Sequence, residues 1–208
     1  GTGLDTFAHA VGAYISNWNN PYTSAINLTA IKETVHYLPR LVKYGSKDLE
    51  AWEHMQWAAL MAGLGFSNAM PGIEHALGHS FGALMETHHG MSVGLFTPQS
   101  VAWQAKVTER WKDICPIFEL DISDLPRQKA LEALIRKMQE FIQKVNGFAS
   151  VSEFQKPEIK KKDYKKAIPL MAEFALNDIA HLASYRPLKY EDYKQMFEAA
   201  WDSKELVY

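Results

Sequence analysis

The spacing of the apolar residues is the feature that most restricts what this chain can fold into. Over residues 125–145 the apolar side chains recur every three or four positions, as on one face of an α-helix, and residues 4–16 show the same period. No segment shows convincing apolar–polar alternation, and no Asn-Gly turn joins two such segments. We therefore expect an all-α fold, a helical bundle around one core, with residues 1–208 forming a single domain.

The pattern also predicts where the helices begin and end. Pro39 should end the second helix, Ser46 should cap the third, and Pro98 should break a later apolar segment. Residues 62–72 contain small side chains that permit close backbone approach and lead into the helix that carries His75, and Gly90 is expected to close that helix. The predicted helices span residues 4–16, 22–38, 46–61, 125–145, 165–176 and 191–201, with apolar segments at 91–107 and 111–118.

Composition and charge exclude several kinds of partner. The formal net charge of −2 gives no reason to expect nucleic acid or an anionic membrane. The longest apolar run, residues 57–66, is too short to span a bilayer, and the start of the chain does not resemble a signal peptide. The single cysteine, Cys115, excludes an internal disulfide and a cysteine-based metal site, and it fits a reducing, cytoplasmic compartment. We expect Cys115 to be a small buried hydrophobic residue.

Histidines are concentrated in one short stretch. Residues 75–90 contain four of the eight, and His75 and His79 are four positions apart, which places them on one face of a helix. Asp5 and His9 have the same spacing near the start of the chain. Together these residues offer one oxygen and three or four nitrogen ligands, a set that suits Fe(II) or Zn(II). Spacing alone leaves two interpretations open, because a histidine on an apolar helix face is more often a core residue.

Two segments resemble the iron-containing (group III) alcohol dehydrogenases. They are TGLDTFAHAVGAY at residues 2–14 and HALGHSFG at residues 75–82, the latter followed by His89 and Gly90. The similarity covers residues 1 to about 125 closely, including AGLGFSN at residues 62–68, and it returns weakly in SYRP at residues 184–187.

The resemblance implies an all-helical, dehydroquinate synthase-like C-terminal domain that carries the metal in a cleft facing an NAD(P)-binding domain. The residues that match the family's metal ligands are Asp5, His9, His75 and His89. His79 matches the position that faces the nicotinamide and the substrate, and as a catalytic residue it would relay the alcohol proton. Phe66, just upstream of the histidine motif, is a candidate for lining the cofactor cleft, with core packing as the other interpretation. A histidine at position 9 favours the iron-type branch, so Fe²⁺ is the expected ion and Zn²⁺ the other candidate.

The expected function is therefore that of one domain of an NAD(P)-dependent alcohol dehydrogenase acting on small alcohols or aldehydes. The chain opens without Met at Gly1, and it has no Gly-x-Gly-x-x-Gly motif or βαβ pattern. We expect a fragment that lacks the nucleotide-binding domain and is inactive alone. An apolar cleft wall left uncovered would favour a homo-oligomer.

Two other functions were weighed against this one. Iron/manganese superoxide dismutases also use three histidines and one aspartate and have a similar length, but they place the Asp/His pair late, in a DxWEH run that this chain lacks. A non-catalytic helical interaction domain is the other alternative, in which the histidines are core or surface residues. His36, His54 and His181 are assigned to this structural class in either case.

Overall fold

The computed structural model describes residues 1–203, and within them the chain is all-α, as the periodicity predicts. The α-helices are α1 (Thr2–Ile15), α2 (Pro21–Tyr44), α3 (Leu49–Ala69), α4 (Ile73–Met85), α5 (His89–Gln104), α6 (Arg127–Lys144), α7 (Lys161–Asn177) and α8 (Tyr190–Ala200). Short 3-10 segments lie at Gly45–Lys47, Arg110–Phe118, Val151–Glu153 and Ile179–Ala183. No helix in this described part is long and apolar enough to cross a membrane.

The buried apolar side chains form two clusters, whereas the sequence analysis expected one core. The first cluster is built mainly by α1, α2, α3 and α6 around Phe7 and Trp111. The second is built by α4, α5, α7 and α8 around Phe81 and Phe197. Helix α1 packs against α2 and α3 on one side and against α4 and α5 on the other. The N-terminal part of α1 therefore lies where the two halves of the domain meet.

Two helices continue through prolines that were expected to stop them. Helix α2 runs through Pro39 to Tyr44, and α5 runs through Pro98 to Gln104. A proline inside a helix costs roughly 3 kcal/mol, because it removes one backbone hydrogen bond and clashes with the preceding turn. In α5 every residue of the range 92–104 is buried. Packing on all sides of α5 offsets that cost, and the expected break at Pro98 is wrong.

Helix α3 differs from the prediction at both ends. It begins at Leu49, and the Asp48 side chain rather than Ser46 accepts a hydrogen bond at its start, from the amide of Ala51 at 3.1 Å. It continues to Ala69, beyond the end predicted at residue 61. A Cβ at Gly65 would lie 1.9 Å from Oδ1 of the buried Asn27 on α2. The glycine therefore allows the close backbone approach that the small residues of this segment predict.

Candidate metal centre

Three helices bring the predicted metal ligands together. Asp5 and His9 lie on α1, His75 lies in the first turn of α4, and His89 is the first residue of α5. These helices belong to different hydrophobic clusters, so the site lies at the boundary between them. The ligands are distant in sequence, and only the packing of α1 against α4 and α5 places them side by side.

The distances define a compact group. Asp5 Oδ1 lies 3.0 Å from His89 Nε2 and 3.7 Å from His75 Nε2. One ligand atom from each of Asp5, His75 and His89 lies within 4.8 Å of the other two. His9 adjoins this group, with its Nδ1 3.4 Å from Asp5 Oδ1. One carboxylate oxygen and imidazole nitrogens at this separation can converge on a single divalent ion.

Gly90 has a different role from the helix end expected for it. Helix α4 ends at Glu86, whose φ of 52° gives the left-handed cap, and Gly90 lies in the first turn of α5. A Cβ at Gly90 would lie 2.2 Å from the Gly1 carbonyl oxygen and 3.1 Å from Asp5 Cβ. The missing side chain lets the start of α5 approach the start of α1, and this brings His89 within reach of Asp5.

Unpaired polar atoms test whether the site fits a cation. Asp5 Oδ1 and His75 Nε2 are both buried, and the structure gives neither of them a hydrogen-bond partner. A buried polar atom without a partner is costly, because it loses water and gains nothing in return. Coordination to one metal ion would satisfy both atoms at once. The donor set of one carboxylate and several imidazoles suits iron or zinc, so the residues fit the ion that the resemblance implies.

His9 and Phe66 form one wall of the site. The two rings stack with centroids 4.1 Å apart and planes 19° apart, and the His9 ring lies 4.3 Å from that of His75. Phe66 is helical and only partly buried. The predicted roles of His9 as a ligand and of Phe66 in the cofactor cleft remain predictions, although both side chains adjoin the group.

His79 lies beside the ligand group with its side chain 42% exposed. Its ring centroid is 5.3 Å from that of His89, and its Nδ1 lies 2.7 Å from Asp178 Oδ2. Asp178 also accepts a hydrogen bond from the amide of Ala180. Asp178 is not among the residues predicted from the sequence, because it lies 99 positions from His79 in a segment predicted to be irregular, where no local pattern identifies it.

The charges of the site shift several pKa values. Burial would raise the pKa of Asp5, but the imidazoles of His75 and His89 outweigh this effect and hold that pKa well below its usual range. Burial would lower the pKa of His75, but the carboxylates of Asp5 and Glu74 raise it to about 9. Burial and the neighbouring His75 lower the pKa of His9 to about 4. The opposite shifts of Asp5 and His75 show that the ionised Asp5 carboxylate attracts positive charge to this group.

Two histidines outside the candidate ligand group have other partners. His54 pairs with Glu33 between α2 and α3, and the His54 ring stacks on Tyr37. His181 Nδ1 lies 3.1 Å from the Tyr193 hydroxyl. Cys115 is fully buried, and burial raises the pKa of its thiol to about 11, which agrees with the expected apolar role.

Comparison with known proteins identifies the domain. The profile of the Fe-containing alcohol dehydrogenase family, C-terminal, matches residues 1–201. The chain belongs to this family. Its fold agrees with that assignment, since a solved 1,3-propanediol oxidoreductase matches 96% of the chain at a TM-score of 0.87 and 29% identity.

Curated members of the family resemble the chain over nearly its whole length. It is 27% identical over 206 residues to the NADPH-dependent butanol dehydrogenase of Clostridium saccharobutylicum, covering 99% of this chain and 51% of that enzyme. It is 30% identical over 201 residues to the NAD-dependent methanol dehydrogenase of Bacillus methanolicus, covering 96% of this chain and 50% of that enzyme. The chain therefore spans about half the length of the relatives it matches, and they differ in the nicotinamide cofactor they are named for.

Proposed function

We propose that this chain is the metal-binding half of an iron-type, NAD(P)-dependent alcohol dehydrogenase that interconverts small alcohols and aldehydes. The observation that supports it best is the convergence of Asp5, His75 and His89, with two buried ligand atoms that lack any other partner. The expected ion is Fe²⁺, with Zn²⁺ as the alternative, and His9 is the fourth proposed ligand. The family membership supports the reaction type.

The residues divide the work of the reaction. Oxidation removes a hydride from the carbinol carbon to the nicotinamide and a proton from the hydroxyl group. A bound divalent ion supplies Lewis-acid stabilisation of negative charge on the substrate oxygen. Asp5 gives the site its negative charge, and the histidines bind as neutral ligands that leave room for substrate. The wall formed by Phe66 and His9 is proposed to face the cofactor.

His79 is proposed to move the proton. Because Asp178 accepts a hydrogen bond from His79 Nδ1, Nε2 of the neutral ring keeps its lone pair and can accept a proton. The side chain is exposed on one side, so the proton can pass on to solvent.

Hydride transfer also needs a bound nicotinamide, so the catalytic activity of this chain depends on whether it can bind that cofactor. In the family as the sequence resemblance describes it, a separate α/β domain binds the cofactor. The described residues 1–203 form helices and one isolated β-bridge between Gln155 and Glu158, and they contain no β-strand. We therefore propose that this chain alone binds metal but does not turn over alcohol.

The experiment measures both properties on the purified chain. Fe²⁺ or Zn²⁺ is added under anaerobic conditions, bound metal is counted by elemental analysis after desalting, and NAD(P) reduction is followed with a short primary alcohol. We expect about one ion per chain and no turnover. Robust alcohol-dependent reduction contradicts the inactivity, whereas absence of stoichiometric metal contradicts the metal centre. Superoxide dismutation by the loaded chain would instead support the superoxide dismutase alternative.

A further inference from the structure

A buried carboxylate stands directly behind the metal centre. Glu74 lies in the first turn of α4, immediately before His75, and its side chain has no exposed surface. Burying a carboxylate is expensive unless hydrogen bonds or opposite charge compensate it. The start of a helix supplies part of that compensation through its free amides and dipole. Glu74 Oε2 has no hydrogen-bond partner, so the remainder must come from what Oε1 contacts.

One of those oxygens contacts His75. Glu74 Oε1 lies 3.0 Å from His75 Nδ1, while His75 Nε2 is the atom that faces Asp5. The two ring nitrogens therefore have separate neighbours, with Glu74 on one side and the ligand group on the other. An ionised carboxylate only accepts hydrogen bonds, so the proton of the neutral ring must lie on Nδ1. Nε2 is then left with a lone pair and no hydrogen-bond partner.

The backbone around Glu74 leaves room for this carboxylate and for little else. A Cβ at Gly12 would lie 1.9 Å from Glu74 Oε1, and a Cβ at Gly72 would lie 2.3 Å from Oε2. Gly12 lies on α1, three and seven positions after His9 and Asp5, on the same face of that helix. The face of α1 that presents the ligands thus also makes space for the carboxylate behind His75.

We propose that Glu74 is the positioning residue of the metal centre. By accepting the Nδ1 hydrogen of His75, it fixes the ring orientation and the tautomer that offers Nε2 to the ion. The proposal rests on the metal-binding function proposed above. Outer carboxylates that hydrogen-bond to a ligating imidazole make it a better ligand, and losing one costs about 10- to 100-fold in metal affinity. Together Glu74 and Asp5 also bring two negative charges to match one divalent ion.

Glu86 provides a matched control. It is the other acidic residue of this region and lies at the C-terminal end of the same helix, where it is exposed. The variants Glu74→Gln and Glu86→Gln each remove one negative charge with almost no change in side-chain size. Glu74 contacts the proposed ligand His75, whereas Glu86 is exposed at the opposite end of the helix, so a general electrostatic effect and a positioning effect give different results.

The first measurement is Zn²⁺ affinity, by competition with a chromophoric chelator, on the unsubstituted chain and both variants, with folding checked by circular dichroism. We expect Glu74→Gln to weaken Zn²⁺ binding about 10- to 100-fold and Glu86→Gln to leave it unchanged. Equal affinity in the folded Glu74→Gln variant, or an equal loss in both variants, overturns the proposal. Failure of the unsubstituted chain to bind Zn²⁺ overturns the metal centre itself and this proposal with it.

The second measurement needs no variant, so it holds even if Glu74→Gln does not fold. Nitrogen-15 NMR of the Zn²⁺-loaded chain reports which nitrogen of the His75 ring carries the proton. We expect the proton on Nδ1 and the metal on Nε2. A His75 ring bound to metal through Nδ1, with the proton on Nε2, overturns the role of Glu74 while leaving the metal centre in place.

Discussion

A histidine beside a carboxylate occurs in two places in this domain, and the two places differ in what surrounds the pair. On the surface between α2 and α3, His54 pairs with Glu33 and stacks on Tyr37, with ring centroids 3.9 Å apart. At the candidate metal centre, His75 and His89 both face Asp5. In the surface pair, His54 and Glu33 are hydrogen-bond partners of each other. At the candidate metal centre, Asp5 Oδ1 and His75 Nε2 are buried without a hydrogen-bond partner.

This difference distinguishes the candidate metal centre from an ordinary ion pair. The surface pair involves two helices, and its histidine side chain is 36% exposed. The centre draws on three helices from two hydrophobic clusters, and the His75 side chain is only 2% exposed. The candidate metal centre has a third donor and excludes water, so without a cation its buried polar atoms lower the free energy of unfolding. Substitutions at the two places should therefore have very different consequences.

The largest expected effect is on metal affinity. We expect His75→Ala to weaken Zn²⁺ or Fe²⁺ binding by more than about 100-fold, because loss of a direct ligand should exceed the loss of an outer partner. His54→Ala is the matched control, and it should bind metal as the unsubstituted chain does. Chelator competition measures both. An equal loss of affinity in the two variants would contradict the assignment of His75, and not His54, as a metal ligand.

The next effect is the stabilisation of the fold by metal. With free ion at about 1,000 times its dissociation constant, binding should add about 4 kcal/mol to the free energy of unfolding. For a chain of this size each kcal/mol raises Tm by roughly 2–4 °C, so a rise of about 10 °C is expected. Calorimetry with and without Zn²⁺ measures it. His75→Ala should lose most of this rise, and retention of the full rise would place the bound ion elsewhere.

The pH dependence of the chelator-treated chain sharpens the comparison further. The folded-state pKa of His75 is raised from 6.5 to about 9 by Asp5 and Glu74, against the opposing effect of burial. A raised pKa stabilises the fold below pH 6.5, and this stabilisation is lost as the pH rises through 9. At about 1.4 kcal/mol per pKa unit, the free energy of unfolding should fall by up to about 3 kcal/mol.

Denaturant titrations at pH 6.5 and at about pH 9.5 measure this fall. The His54→Ala variant should keep this fall in stability, and the His75→Ala variant should lack it. Unchanged stability between pH 6.5 and 9.5 would contradict the charge arrangement described at His75.

His9 acts with the opposite sign. Its pKa is lowered to about 4, so it contributes stability that is present above pH 6.5 and lost as the pH falls towards 4.

How much of this domain the sequence predicts depends on whether the signal is local. The helical class follows from apolar periodicity, and the first and last helices were predicted close to their observed bounds, Thr2–Ile15 and Tyr190–Ala200. The breaks expected at Pro39 and Pro98 were wrong, and at Pro98 the burial of the surrounding residues 92–104 keeps the helix intact. A proline or glycine marks a local preference, and its neighbours in space decide whether that preference is followed.

The same limit applies to the site. Asp5 and His75 were identified as candidates from helical spacing and the family resemblance, and the structure brings both together with His89. Asp178 was not predicted, and proximity in sequence does not decide between Glu74 and Glu86 as the partner of a ligand histidine, because each contact depends on which helix face meets which other element. Glu74 and Glu86 are equally near the motif in sequence. Only the packing of α4 buries the first and leaves the second exposed.

The smallest expected effect concerns the surface pair itself. Glu33→Gln removes the charge of the carboxylate beside His54, and we expect the free energy of unfolding to change by no more than about 1 kcal/mol, as for other exposed ion pairs. Denaturant titration at low salt, where exposed charges are least screened, measures the change. A decrease of several kcal/mol in the free energy of unfolding would show that the pair of His54 and Glu33 stabilises the fold as strongly as a buried ion pair. The contrast between the two histidine–carboxylate pairs would then not follow from burial.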